Sequence, residues 1–212
     1  MVFLTDSSVE RWSERLQPLR SAARAAIDLG QRARHPIRRR RARSHVRRVI
    51  AGGVEEILFV CHGNICRSPF AERLFTRLVG EDDHFGVASS GFYPETGRRS
   101  PPEAIAAARR RGVDLEGHRS RHLDGPSLRA LREKRPLIAV MDAGQRDRLR
   151  DEMELSAPEV VVLGDLDPES VPHRRIEDPW GGDREKFDRV FARIDRCVRE
   201  LADLTGSQHG AR

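Results

Sequence analysis

The chain has 212 residues and a formal net charge of +6, and that charge is unevenly distributed. Residues 1–52 hold 13 arginines and 4 acidic residues, a net of +9, whereas the rest holds 26 basic and 29 acidic residues, a net of −3. Attraction to nucleic acid or to an acidic surface is therefore expected of residues 1–52 alone. No run of 18 apolar residues occurs, which predicts no transmembrane helix. The 3 cysteines do not form a disulfide framework, so we expect a cytoplasmic protein.

Residues 1–52 are predicted to form an arginine-rich, mostly helical extension, with its helix running from Asp6 to about Val49. Pro18 predicts a kink or a split in this helix, and Gly30 with Pro36 predicts an end or a break. The segment Arg38–Arg48 is densely basic. One apolar stripe recurs at spacings of three and four, through Val9, Trp12, Leu16 and Leu19.

From residue 54 onward, short apolar runs alternate with helical patterns. Strands are predicted at 56–60, 87–90, 137–141 and 160–163, and helices at 69–79, 102–111, 143–153 and 183–204. This alternation predicts an α/β domain over residues 53–206, with a doubly wound, four-stranded parallel sheet flanked by helices. Residues 207–212 are expected to be a flexible tail.

The loop from Cys61 to Ser68 reads Cys-His-Gly-Asn-Ile-Cys-Arg-Ser, between the first strand and the helix after it. A loop in that position directs unpaired backbone N–H groups toward an anion. Gly63 permits a tight turn, and Arg67 supplies a planar fork for two phosphate oxygens. The same donors, with the hydroxyl of Ser68, are suited to stabilise a thiolate at Cys61, while Asn64 is expected to hold the loop backbone. The pattern predicts a phosphate-binding loop with a nucleophile at its base.

The loop has two simpler interpretations. In the first interpretation, Cys61 is a buried structural cysteine that lies beside an arginine. In the second, Cys61 and Cys66 are a metal-binding pair, but no second pair of ligands follows at zinc spacing. His62 alone does not indicate a metal and is expected to face solvent. We therefore expect no metal and no cofactor.

Val60 to Ser68, continued by Pro69-Phe70-Ala71-Glu72, resembles the low-molecular-weight protein tyrosine phosphatases. In that family an Asp-Pro pair near the C-terminus supplies the general acid, and Asp178-Pro179 resembles it. The resemblance covers about residues 54–205 and leaves out the arginine-rich extension. It implies a phosphotyrosine-protein substrate and a cysteinyl-phosphate intermediate. The implied catalytic residues are Cys61 as nucleophile, Arg67 as phosphate-binding group and Asp178 as general acid and base.

Elementary chemistry supports a role for Asp178. An aryl phosphate leaves as a phenolate whose conjugate acid has a pKa of about 10. Protonation of that oxygen in the transition state typically contributes about 10²–10⁴ in rate. For the dipeptide alone, the start of a turn remains an equally valid interpretation.

The resemblance also implies roles around the loop. Ser89 and His118 resemble a hydrogen-bonding network that holds Asn64, although a strand serine and a helix-cap histidine would explain them equally well. Cys66 resembles a second cysteine that forms a disulfide with the nucleophile under oxidation. Aromatic side chains suited to line a phosphotyrosine slot, or else to pack ordinarily, are Trp180, Tyr93 and Phe92.

Several alternatives stay open. A protein-arginine phosphatase is similar but carries threonine where Ile65 stands, which favours tyrosine here. A thioredoxin-coupled arsenate reductase would need further cysteines, and residues 112–150 contain none, while Cys197 falls in the last helix. A non-enzymatic alternative is an anion-binding module, in which Arg38–Arg48 contacts acidic lipid, nucleic acid or an acidic protein. Arg98 and Arg99 are extra arginines in comparison with the family, and they leave open which peptide sequences the protein prefers.

Overall fold

The computed structural model describes residues 6–80, 86–153 and 159–206, so the predicted tail at 207–212 lies outside the described residues. Four parallel strands form one sheet in the order β2-β1-β3-β4. The predicted doubly wound, four-stranded parallel sheet is confirmed. The strands are β1 (Glu56–Cys61), β2 (Gly86–Gly91), β3 (Pro136–Val140) and β4 (Val160–Val162).

Five helices in the described part of the domain connect or follow these strands. They are α2 (Arg67–Val79), α3 (Pro102–Arg109), α4 (Gly125–Arg132), α5 (Ala143–Met153) and α6 (Arg184–Gly206). The sequence did not predict α4, because Gly125-Pro126 resembles a turn and the helix has only 8 residues. Asp124 caps α4 by accepting a hydrogen bond from Ser127 N at 2.8 Å. The predicted fourth strand ends one residue early, where the 3₁₀ helix Leu163–Leu166 begins.

The sheet is buried on both faces, as a parallel sheet requires. Alternate β1 residues point to opposite sides. Ile57 and Phe59 join the core formed with α2 and α6. Leu58 and Val60 join a second core formed with α4 and α5. The apolar runs of the sequence are therefore strands covered from both sides.

Residues before the domain form one helix, α1 (Asp6–Ala51). It continues through Pro18, Gly30 and Pro36, so the expected split and break are wrong. An interior proline removes one hydrogen bond and a glycine costs about 1 kcal/mol, and neither must end a helix that has many other stabilising bonds. Side chains of the predicted stripe Val9–Leu19 lie outside the described residues. None of the helices in the described ranges is both long and apolar enough to span a bilayer.

The second half of α1 is docked on the domain. Ala42, Val46 and Ile50, four residues apart, are buried in the core that contains α6. Buried His35 donates from Nε2 to the Asp167 carbonyl at 2.9 Å. The extension is therefore packed against the domain along the part that includes the basic segment. Two of its arginines also pair with an acid of α6: Arg39 and Arg43 with Glu200.

Candidate active site

The predicted anion-binding loop lies where β1 ends and α2 begins. Cys61 is the last residue of β1, and Arg67 is the first of α2. β1 lies between β2 and β3, at the point where the sheet order reverses, which is the usual ligand position in doubly wound sheets. Cys66, the N-cap residue of α2, makes no side-chain capping hydrogen bond. The first-turn N–H groups of α2 are thus suited to bind an anion.

The Cys61 sulfur is buried and contacts two polar groups. Asn64 N donates to Sγ at 3.2 Å, and Ser68 Oγ lies 3.1 Å from the same sulfur. Ser68 Oγ accepts a hydrogen bond from Asn64 Nδ2 at 2.9 Å, and its own proton has two acceptors within reach, the Cys61 sulfur at 3.1 Å and the Ser90 carbonyl at 3.3 Å. Both groups stabilise negative charge on Cys61.

Asn64 is the centre of a buried network, in a left-handed backbone conformation with φ of 50°. Its Nδ2 donates to Ser68 and, at 2.8 Å, to Ser89 Oγ. Its Oδ1 accepts from Arg121 N at 2.7 Å, and His118 Nε2 donates to its carbonyl at 2.7 Å. The structure therefore brings Ser89 and His118 to Asn64. Asparagine suits the position because it tolerates positive φ and can satisfy three side-chain hydrogen bonds.

Burial lowers the pKa of His118, against the opposing effect of its bond to the Asn64 carbonyl. The bond to the carbonyl requires a proton on Nε2, and the lowered pKa keeps the rest of the ring uncharged at neutral pH. The loop is thus held by an uncharged donor at neutral pH.

Three residues of the network were not singled out from the sequence. The Glu72 carboxylate accepts from Ser89 Oγ at 2.5 Å and from Arg121 at 2.9 Å. Gly91 approaches so closely that a Cβ atom there would lie 2.8 Å from Asn64 N and from His62 O. All three fall in stretches that resemble the family, namely Pro69–Glu72, Ser89–Gly91 and Gly112–Leu123, but the resemblance was not used to assign them a role.

Arg67 links the loop to the segment that contains Asp178. Its side chain is only 3 % exposed, and one NH₂ group donates to the Ile176 carbonyl at 3.1 Å. The other NH₂ group pairs with the Asp178 carboxylate. Arg67 Nε is buried and has no hydrogen-bond partner among the described residues. The guanidinium therefore has a donor left for a phosphate oxygen.

Asp178 is partly exposed above the loop, although more than a hundred residues separate it from Cys61 in the sequence. Its Oδ1 accepts from Trp180 N at 3.2 Å, which holds the carboxylate in a local turn. Cys61, Arg67 and Asp178 line one cleft of about 250 Å³.

Two aromatic side chains form the walls of this cleft, and both are exposed: Tyr93 by 39 % and Trp180 by 63 %. The Arg98 guanidinium lies 4.1 Å from the Tyr93 ring centroid and donates to the Gly63 carbonyl at 2.6 Å. The His62 ring meets the Tyr93 ring edge-on at 5.9 Å. Exposed aromatic rings around a small polar base suit a flat substrate group. Other residues of the predicted loop that line the cleft are His62, Gly63, Ile65 and Cys66.

Phe92 does not line the cleft, and its prediction as a slot wall is wrong. Its side chain is buried in the core beside α4 and α5, with the Arg148 guanidinium 4.6 Å from the ring centroid. Phe92 and Tyr93 are consecutive, and consecutive side chains of extended backbone point to opposite sides.

Three cysteines are free and buried: Cys61, Cys66 and Cys197. Burial, followed by the charge at Cys61, raises the pKa of the Cys66 thiol far above neutrality. Burial likewise raises the pKa of Cys197, which is fully enclosed in α6. Both thiols stay protonated at neutral pH, which disfavours a reactive relay through either of them. Within the described ranges, no cluster of three or more histidine, cysteine or acidic side chains could hold a metal ion.

The sheet, the loop and the cleft define a doubly wound α/β protein with a cysteine and an arginine at the base of a candidate anion site. The model of the family "Low molecular weight phosphotyrosine protein phosphatase" matches residues 56–209. The chain belongs to this family, whose members are phosphomonoester hydrolases. The whole of α1 lies outside the matched region.

Relatives and solved structures agree with this assignment. The low molecular weight protein-tyrosine-phosphatase Wzb of Salmonella typhi is 33% identical over 155 residues, covering 73% of this chain and 97% of that protein. The structure of Vibrio vulnificus Wzb in complex with benzylphosphonate has a TM-score of 0.61 and 29% identity, covering 71% of this chain and 99% of that one. YwlE arginine phosphatase from Geobacillus stearothermophilus has a TM-score of 0.63, covering 74% and 97%, but its 23% identity supports the fold alone.

Proposed function

We propose that this protein hydrolyses phosphotyrosine in protein substrates, with Cys61 as nucleophile and Asp178 as general acid and base. The observation that carries the proposal is the convergence of the Cys61 sulfur, the Arg67 guanidinium and the Asp178 carboxylate on one cleft. A thiolate, a bidentate phosphate binder and a proton donor are what cleavage of a phosphate monoester requires. We assign this activity to residues 53–206.

In the first step the Cys61 thiolate attacks phosphorus and forms a sulfur–phosphorus bond, while the bond from phosphorus to the phenolic oxygen breaks. Asp178 in its protonated form transfers its proton to that oxygen, so tyrosine leaves neutral. Arg67 exchanges its pairing with Asp178 for the phosphate oxygens and is joined there by the N–H groups of the loop. The phosphate oxygens thereby remain paired with donors as charge shifts.

In the second step a water molecule attacks the phosphorus of the cysteinyl-phosphate. The Asp178 carboxylate takes a proton from the water, and the sulfur–phosphorus bond breaks. The products are inorganic phosphate and the Cys61 thiolate, which the Ser68 hydroxyl and Asn64 N–H stabilise as a leaving group. Asp178 is again protonated and ready for another cycle.

The walls of the cleft favour an aromatic phosphate. Tyr93, Trp180 and Ile65 present apolar surface to the group that carries the phosphate. The benzylphosphonate bound by the Vibrio relative also joins an aromatic ring to a phosphorus group. The protein-arginine phosphatase alternative would require polar recognition of a guanidinium group, which Ile65 does not offer.

Full-length protein assayed with phosphotyrosine and phosphoarginine peptides tests the substrate. We expect release of phosphate from phosphotyrosine alone and its complete loss in Cys61→Ser. Asp178→Asn should lower kcat by about 10²–10⁴-fold for phenyl phosphate and much less for an ester of an acidic phenol. An equal loss for both esters would refute the role of Asp178, and faster turnover of phosphoarginine would refute the tyrosine assignment.

A thiolate nucleophile needs a reducing compartment, which is our reason to propose a cytoplasmic location.

A further inference from the structure

A second cavity, of about 450 Å³, lies where α1 meets β4 and α5. We call it the arm pocket. It shares no lining residue with the catalytic cleft. Its arginines come from α1, from α5 and from the segment after the 3₁₀ helix: Arg38, Arg41, Arg146, Arg150 and Arg174. Its floor is apolar, formed by β4 and Ala42.

The positive charge of the arm pocket exceeds the negative charge beside it. Asp165 is the one carboxylate among the described lining residues, against five arginines. It pairs with Arg174 and lies 3.8 Å from Arg38 Nε. Arg41 has no hydrogen-bond or ion-pair partner within the described ranges. Like charges held together this closely are stabilised when an anion binds between them.

Several donors in the pocket are available to a ligand. The Nε atoms of Arg38 and Arg174 are buried without a hydrogen-bond partner among the described residues. His45 is not counted as a donor, because burial and the charge of Arg48 lower its pKa and its ring is hydrogen-bonded to the Val160 backbone. Arg146 pairs with Asp147, and Arg150 with Asp151, in contacts where both partners remain solvent-accessible. Such exposed pairs contribute only about 0–1 kcal/mol, so both arginines can be redirected toward an anion at little cost.

The shape of the basic region favours a small ligand over a polymer or a membrane. Arg39 and Arg43, on another side of α1, are already paired with Glu200. The basic segment is therefore divided between two concave groups of arginines: Arg38 and Arg41 line the arm pocket, whereas Arg40 and Arg47 line a separate cavity with Arg39 and Arg43. The cavity volume lies within the range of about 300–1,000 Å³ that is typical of small-molecule sites.

We propose that the arm pocket binds an organic anion that carries two or more phosphate groups, such as a nucleoside diphosphate. Arg38 and Arg174 are held by Gln31 and Asp165, which leaves Arg41, Arg146 and Arg150 to turn toward a ligand. Each guanidinium can hold two phosphate oxygens, so these three arginines already exceed what the three terminal oxygens of one phosphate monoester can engage. The apolar floor of Val160, Val161 and Val162 accommodates the organic part of the ligand. The proposal does not depend on the phosphatase activity, since the site is separate from the cleft.

Isothermal titration of the full-length protein with ADP tests the proposal, with AMP, adenosine and inorganic phosphate as comparison ligands. We expect ADP to bind at least tenfold more tightly than inorganic phosphate, and Arg67→Ala to retain that binding. Arg41→Ala and Arg150→Ala should each weaken ADP binding by about tenfold, because each removes one charge-assisted contact. Both side chains are exposed, so neither change should disturb folding.

Arg40→Ala is the matched control, because Arg40 is an exposed arginine on the same helix that does not line the arm pocket. Four results would overturn the proposal: no binding of ADP at millimolar concentration, loss of binding in Arg67→Ala alone, equal weakening in Arg40→Ala, or equal affinity for inorganic phosphate. The proposal would also be wrong if double-stranded DNA or phosphatidylserine vesicles bound more tightly than ADP and this binding depended on Arg40 as much as on Arg41. That result would indicate a surface interaction of the whole basic segment.

Discussion

Gly91→Ala tests whether a close backbone approach positions the catalytic loop. Gly91 is the last residue of β2 and lies directly beside Cys61 of β1. On the side away from β1, Gly91 N donates to the Arg121 carbonyl at 2.9 Å and the Gly91 carbonyl accepts from Leu123 N at 2.8 Å. A Cβ atom there would lie 2.8 Å from Asn64 N, whereas ordinary contacts begin at 3.4 Å. The φ of Gly91 is not in the left-handed region, so the effect of alanine is steric.

The size of the effect follows from that overlap. The loop must retreat by about 0.6 Å, because the strand is clamped from its other side. Overpacking of this kind costs about 1–3 kcal/mol of unfolding free energy. A displacement of about 1 Å at a catalytic group can cost about 10²-fold in rate. We therefore expect Gly91→Ala to lower kcat by about 10–100-fold and to change KM much less.

Steady-state hydrolysis of p-nitrophenyl phosphate, together with urea unfolding, measures both effects. Gly117→Ala is the control, because Gly117 is exposed, has no atom near its hypothetical Cβ and has no positive φ. A kcat within twofold of the parent protein would refute the argument. So would a loss of stability without loss of kcat, since the strain would then be relieved away from the loop.

Three further predictions concern groups away from the reacting atoms. Cys197→Ala should cost about 1 kcal/mol or more in urea unfolding but leave kcat unchanged, and a large loss of kcat would instead favour a thiol relay. Burial lowers the pKa of His118 in the folded state, so the unfolded state binds its proton more readily and stability should fall as pH drops below about 6.5. His118→Gln should show a smaller loss between about pH 7.5 and 5.5, and an identical pH profile would contradict this. His35→Ala leaves the Asp167 carbonyl without its donor, so we expect about 1–3 kcal/mol of destabilisation and faster hydrogen exchange in α1. Unchanged exchange would show that this bond does not hold the helix.

Much of the domain could be predicted from short-range sequence features. Alternating strand and helix patterns indicate the sheet, because the spacing of apolar residues and the position of turn residues determine secondary structure over only a few residues. The bounds differ by one or two residues where hydrogen bonding extends an element, as when β1 includes Cys61 and α2 begins at Arg67. The loop from Cys61 to Ser68 was predictable because its backbone donors, arginine and thiol are contiguous.

Other features depended on contacts between distant parts of the chain. Local signals at Pro18 and Pro36 predicted interruptions that the helix does not have, since bonds on either side of each proline maintain it. The burial of Phe92 and the exposure of Tyr93 depend on the side of the sheet toward which each points. A pair of adjacent aromatic residues does not carry that information.

The chemistry proposed for the site could be read from the sequence, since the proposed nucleophile, the arginine and the backbone donors lie within one octapeptide. The surroundings of that octapeptide could not be read from it. In the folded protein Asp178 pairs with Arg67, and the pair formed by Glu72 and Arg121 lies beside the loop. Some arginines of α1 pair with Glu200, whereas others line the arm pocket. These outcomes depend on the packing of elements far apart in the chain, and neighbouring residues impose no constraint on them.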